Sequence, residues 1–479
     1  MPQRLSDDEA ALVRRLQTKA GTERRDLERL DGYYEGQQRL MHLGLALPPN
    51  LRVLETVVNV PRLAVDEPVG RQRLSAFQRS GSDMADPALR EAWEANNLDS
   101  QSILAHKEAR IGGAAYVSVG SNPDDAEHPL VTVEDPQQFT TLHDARTGRV
   151  TAALRNHRDL GTRKRLMTLY LPDSTIWCSR DSGGFVVEDR DDHTLGRVPV
   201  VKFLNRPRAR RWEGTSEMVD VIGLTDSIAR MVTNMQVAGE THAVPVRHVA
   251  GLSKGDFVGK NGKPLPIWET YFTAIMATEN ADARFGQFQA SDLKNFYDTV
   301  DRMLAWCAGI LGLPVRYMGN TTIQPPTEGS VRADEARLVA NVERMNRFDG
   351  DAWCWVMALY ERFRTGEDSL NPNEIRAIWH DPATPTRAQI ADEAQKLHSE
   401  GILSREGVWD EMGWSEARKD RERAYFEREA DDGIINGLLR GVTSGGVDRP
   451  VADGSGAVPV EGAAGAGGRP RGTSGQEQP

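Results

Sequence analysis

The sequence predicts an α+β fold framed by helices of exceptional length, and three observations carry that expectation. Residues 331–364 place Leu338, Val342, Met345, Ala352, Val356, Leu359 and Phe363 mostly three or four positions apart, on one side of a 3.6-period helix. Residues 128–204 hold runs such as VTAALRNHRD, LMTLYLPD and VPVVKFL, rich in β-branched and aromatic residues and bounded by Gly, Pro, Asp and Asn. Residues 246–290 carry two or three short strand patterns with Gly-rich turns, set between two more helical patterns.

Residues 6–45 read as helices: Ser6 caps DDEAALVRRL, and Leu27, Leu30 and Tyr34 recur at helical steps until ALPPN breaks the pattern. LREAWEANNLDSQSILAHKEARIGGAAYVSVG is an amphipathic helix that runs through Gly112 and Gly113 into a strand. Short strands follow to about residue 204. Leu224, Ile228, Met231, Met235 and Ala238 then mark a helix that Pro245 ends. Ser291 opens another, with Leu293, Phe296, Val300, Leu304, Cys307 and Leu311 inward, stopping at Gly312-Leu313-Pro314. The stretch from Gly319 to Gly329, with Pro325 and Pro326, has no apolar period and is expected as an exposed loop. It enters the longest helix, with Ser330 as N-cap and Asp334 and Glu335 near the positive end of the dipole. At about 50 Å, that helix is near three times the ordinary length, and Gly350 is a place where it could bend.

The composition, 39% hydrophobic and 27% charged over 479 residues, is that of a soluble protein of two to four domains. No window approaches eighteen apolar residues, and the N-terminus lacks a signal-peptide pattern, so no membrane contact is expected. A net charge of −11 argues against tight wrapping of nucleic acid, because phosphate affinity comes mainly from Lys and Arg. It does not exclude DNA passing by. Cys178, Cys307 and Cys354 are widely spaced and read as buried small hydrophobes. The acids around His128 and around His193 lack metal-site spacing, and GDFVGKNG lacks the spacing of a phosphate loop. With no catalytic, metal or cofactor motif, the chain is expected not to be an enzyme, and any ATP-driven motor must be a partner.

The order of helix, small β module, helix, loop, very long helix and helical C-terminus resembles the portal proteins of tailed bacteriophages. LDGYYEGQQRL is similar to the family's N-terminal Tyr-x-Gly element, VVNVPRLAVDEPVG to its Asn-plus-valine helix, and GSVRADEARLV to the entry of the helix after the tunnel loop. WEANNLDSQSILAHKEARIGGAAYVSV is similar to the helix-to-strand passage of siphophage portals. The resemblance spans roughly residues 25–430. It implies an α/β wing with N-terminal helices over 1–205, a linker and first stem helix over 206–245, a clip over 246–290 and a second stem helix over 291–312. A tunnel loop over 313–330, a wing helix over 331–366, a helical crown over 367–436 and a disordered tail over 437–479 follow.

The resemblance also implies a homo-oligomeric ring, a dodecamer, at one capsid vertex of the virion, assembled in the host cytoplasm. Double-stranded DNA would pass through it during packaging and ejection, and the terminase large subunit and head-completion adaptor would dock on it. Major capsid and scaffolding proteins would surround it. Another virion structural protein, an adaptor or minor head component, is the alternative, with a terminase-type enzyme or a host DNA-binding scaffold behind it. On this reading, the neutral groups of Asn320, Thr321, Thr322 and Gln324 face the channel, with Tyr317 as a packing base. Glu217, Asp220 and Asp226 form an acidic stem face that repels phosphate, unless they are ordinary solvated positions. Arg206, Arg208, Arg210 and Arg211 beside Trp212 could contact a neighbouring subunit, the capsid or DNA, or simply face solvent.

Overall fold

The computed structural model describes residues 3–39, 56–243, 247–250, 284–287, 293–319, 327–366, 371–383, 387–414 and 418–429, apart from six isolated positions, together with residue 282. The chain divides into two compact units, Met1–Thr384 and Pro385–Pro479.

In the first unit Ser6 opens α1 (Asp7–Tyr34) with a complete capping box: its hydroxyl accepts from the Glu9 N–H while the Glu9 carboxylate accepts from the Ser6 N–H. The two expected N-terminal helices are therefore one, because no residue between Leu16 and Leu27 breaks the backbone. α2 (Val60–Gly70) starts at Asn59, whose side chain caps Arg62 N. The single amphipathic helix expected before the Gly pair is instead two, α3 (Pro87–Ala95) and α4 (Leu98–Gly112). Asn97, at φ 50, makes the break, a conformation Asn tolerates better than most side chains.

Two antiparallel sheets follow. β2 (Ala114–Gly120) pairs on one edge with β3 (Leu130–Glu134) and on the other with β9 (Val200–Leu204). A five-stranded meander runs through β4 (Phe139–His143), β5 (Val150–Arg158), β6 (Arg165–Tyr170), β7 (Thr175–Asp181) and β8 (Gly184–Asp191). Residues 3–5 add themselves to the β8 edge through Val187 N–H to Gln3 O and Leu5 N–H to Phe185 O, so that edge is not left open. α1 covers the meander with Val13 and Leu16 against Leu154, Leu169 and Ile176. Gly113, at φ 87, lets the chain turn from α4 into β2, and its carbonyl lies so close to Gly214 that a side chain on either residue has no room.

α5 (Val219–Ala243) and α6 (Lys294–Leu311) flank a strand pair, β10 (Arg247–Ala250) with β11 (Arg284–Gln287). The rest of the expected β module, and Ser291 as a helix opener, lie outside the described residues. The longest helix, α7, runs without a break from Glu328 to Thr365, about 57 Å at 1.5 Å per residue. Its buried stripe is the expected one, Leu338, Val342, Met345, Ala352, Val356 and Leu359. Two details differ. Thr327, not Ser330, occupies the N-cap; Ser330 is already helical and its hydroxyl donates back to Thr327 O. The helix runs unbroken through Gly350, which makes room for Ala377 and Trp379.

Those two residues belong to β12 (Ile375–Trp379), which pairs with β1 (Leu74–Arg79). The segment after residue 366 was expected to be helical, yet here it returns to the first unit, because Ile375 joins the main core with Phe77, Trp93, Trp353 and Phe203. Helices resume in the second unit with α8 (Arg387–Ser399), α9 (Arg405–Glu411) and residues 418–429. There Trp409 stacks on Trp414 and on Phe426, and Arg418 and Arg405 cover the outer rings. The expected disordered tail, 437–479, lies outside the described residues.

Candidate functional site

The two limbs of the loop between α6 and α7 are fixed at one place. After α6, Gly312 at φ 70 reverses the chain, Leu313 N–H bonds Ala308 O, and a short 3-10 turn, Val315–Met318, ends at Gly319. On the far limb, Glu335 lies in the third turn of α7 and is buried. Its carboxylate binds the Arg316 guanidinium, accepts from Tyr317 Oη at 3.0 Å and accepts from Arg71 Nη1 at 3.2 Å. Arg71, at the end of α2, also donates to Tyr317 Oη at 2.8 Å and to Pro382 O at 3.0 Å. Asp334 adds a second carboxylate to Arg316 at 3.3 Å.

The electrostatics are those of a shared, partly dry charge cluster. Burial opposes the charge on Arg71, but its bonds to Glu335 and Tyr317 outweigh that and raise its pKa. Burial and the Glu335 bond both raise the Tyr317 phenol, which stays a donor. Leu313 packs with Leu338 and Val342 directly beside the cluster, so the loop base is apolar on one side and ionic on the other. Tyr317 is thus the packing base expected for the loop. The partners Arg71, Arg316 and Glu335 were missed; the signal available was an Arg-Tyr pair just before the loop facing two acids just after it.

The other candidate residues are dispersed. Asn320, Thr321, Thr322 and Gln324 lie outside the described residues, as does Arg210. The three acids do not form one face. Glu217 precedes α5 and accepts from Asn205 Nδ2 at 2.9 Å; Asp220 pairs with Arg206 at 2.7 Å; Asp226 accepts from Tyr33 Oη at 2.9 Å. Six residues of helix separate Asp220 from Asp226, about 120° around the axis. Arg206 sits at φ 49 and is committed to Asp220, while Arg208 and Arg211 bridge through their backbones with both side chains exposed.

Among the described residues no group of His, Cys, Asp and Glu could hold a metal ion. His128 Nδ1 lies 2.9 Å from Tyr360 Oη and His193 Nε2 lies 3.2 Å from Thr175 Oγ1, so both histidines next to the acid clusters have ordinary structural partners. Cys178, Cys307 and Cys354 are free and buried, and burial pushes the thiols of Cys178 and Cys354 up to about 11, where they are inert. No helix of the described residues is long and apolar enough to cross a membrane.

Residues 14–433 match the family described as "Phage portal protein, SPP1 Gp6-like". The chain belongs to that family. The portal protein of Mycobacterium phage D29 is 34% identical over 420 residues, covering 85% of this chain and 86% of its own length. That of Mycobacterium phage L5 is 33% identical over 428 residues, covering 87% of each. A chain from the solved virion of a native gene transfer agent particle aligns over 81% of this chain and 99% of its own, at 12% identity and a TM-score of 0.41. As a phage portal protein, the chain is a structural, non-enzymatic component of the virion.

Proposed function

We propose that copies of this chain close into a ring, a dodecamer, at one capsid vertex and that double-stranded DNA is packaged and ejected through its channel. The loop 313–330 projects into the channel, and the β module between α5 and α6 is the end that meets the terminase large subunit and the head-completion adaptor. Major capsid and scaffolding proteins surround the ring.

The observation that carries the channel reading is the Glu335 cluster. A loop rubbed by a moving duplex needs a base that does not yield, and both of its limbs end in one buried carboxylate bound to Arg316, Tyr317 and Arg71. The tip residues Asn320, Thr321, Thr322 and Gln324 are uncharged, which suits a contact that must slide: amides and hydroxyls touch phosphates without displacing a counterion atmosphere, whereas lysine would bind through it. Phosphate repulsion by the stem rests on the whole chain's charge of −11 more than on Glu217, Asp220 and Asp226, each of which has a partner within the chain. Thr321→Lys combined with Gln324→Lys tests the reading. Rings should assemble as before while packaging slows, more at low salt than at high. Packaging and ejection that match the unaltered protein at every salt concentration would remove the loop from the channel.

A further inference from the structure

Three large apolar side chains on α6 stand in solvent although the helix has a well-filled inner face. Trp306 is 54% exposed, Ile310 47% and Tyr297 55%, while Cys307 and Ala308 are buried and Val300, Met303 and Leu304 pack against α5. Asp298, Arg302, Trp306 and Ile310 follow one another at four-residue steps, the spacing of a single surface ridge. The outward side of α5 is the reverse in shape. Gly223 is exposed with open space where a side chain would stand, and Ser227 one turn on has its hydroxyl folded back onto Gly223 O.

We propose that these two faces meet between copies: Trp306 and Ile310 of one copy seat over Gly223 and Ser227 of the next. The inference rests on the ring reading above and names the surface that closes it. A cyclic assembly needs two different complementary patches on each protomer, and a pure rotation keeps every residue at its own height along the axis. The heights can be read within one protomer. α5 and α6 are antiparallel, since Leu311 packs against the cores that hold Met218, Ile222 and Val221 while β10 and β11 pair beyond the far ends. Both helices rise about 1.5 Å per residue, so each step back from Leu311 matches a step forward from Met218–Ile222. Ile310 is then level with the turn from Val219 to Gly223 and Trp306 with the turn from Gly223 to Ser227.

Charge agrees with shape. Arg230, exposed one turn beyond Ser227, has only the Ser227 hydroxyl as a hydrogen-bond acceptor among the described residues. The exposed carboxylates of Asp298 and Asp301 lie within one turn of its height on α6, against the single guanidinium of Arg302. Within that turn the neighbour's α6 presents two carboxylates against one guanidinium to Arg230.

The test uses the full chain carrying Gly223→Cys and Ile310→Cys, the native cysteines being buried. Mild oxidation should give a ladder of disulfide-linked multimers on a non-reducing gel, which neither single substitution gives. Trp306→Ala should keep the circular dichroism of the parent, because the side chain is half exposed, and lower the ring fraction about tenfold. Rings without a ladder, or Trp306→Ala rings as abundant as the parent's, overturn this interface and leave the ring reading standing. A protein that stays monomeric with or without the substitutions overturns both.

Discussion

His106 shows how a single buried side chain ties the core to pH. Its Nε2 accepts from Trp353 Nε1 at 2.9 Å, so the ring must be neutral and carry its proton on Nδ1. Burial lowers its pKa from 6.5 to about 4. Below pH 6.5 the unfolded chain takes up a proton that the folded chain refuses, so stability falls as pH drops from 6.5 toward 4. At pH 5 the loss is about 2 kcal/mol, at about 1.4 kcal/mol per pKa unit. His106→Gln, which keeps an acceptor for Trp353, should flatten the fall in melting temperature between pH 6.5 and 5. An unaltered slope would mean that another group sets it, such as His143, which burial also lowers to about 4. None of this was legible in the sequence. The same holds for the neighbouring ion pair of Arg110 and Asp349, both almost fully buried, with Gln72 donating to Asp349 at 2.8 Å. Asp349 interrupts the apolar stripe of α7 between Met345 and Ala352, but its partner lies 239 positions away, and periodicity does not encode pairings at that distance.

Helices declared themselves where an apolar period ran long enough to outweigh local noise. α7 was legible from its buried stripe, and α5 and α6 from theirs, because those two pack apolar faces on one shared core. Short strands with distant partners were not: β12 has five residues and pairs with β1 from the opposite end of the unit, and the helical context after residue 366 masked it. Within the loop base, Tyr317 was foreseeable and Glu335 was not, since an acid near the N-terminal end of a helix is ordinarily read as answering the dipole alone. Glu335→Gln tests its larger role. It removes the charge that Arg71 and Arg316 share in a partly buried setting, a change that costs about 3 kcal/mol when one partner of a buried pair is lost. Amide hydrogen exchange should quicken at least about tenfold over residues 315–319 and 331–338 while the β5–β7 strands are unchanged. Equal exchange at those segments would show that Leu313, Leu338 and Val342 hold the loop base without the ions.

For the molecule as a whole, the order of the elements was more informative than any single motif, and the family match over residues 14–433 rests on that same stretch. Assembly was the part the chain alone could not spell out, because the surfaces that would meet lie on helices whose outward faces look like ordinary solvated positions until their exposure is known. Trp306 in the pattern of α6 reads as one more apolar residue; in the fold it stands in solvent. Arg206 shows the converse, a residue whose contact the sequence left open between a neighbour, the capsid, DNA and solvent and which the fold pairs with Asp220. A ring whose stem faces are complementary should be the dominant species of the purified full chain and should not need DNA or capsid to form. Mass photometry of that protein, with particle images from the same sample, measures this directly. One main species of about twelve protomers of 53.0 kDa with an open centre is the expected result. A 53.0 kDa monomer alone at micromolar concentration, with no ring among the particles, would contradict it.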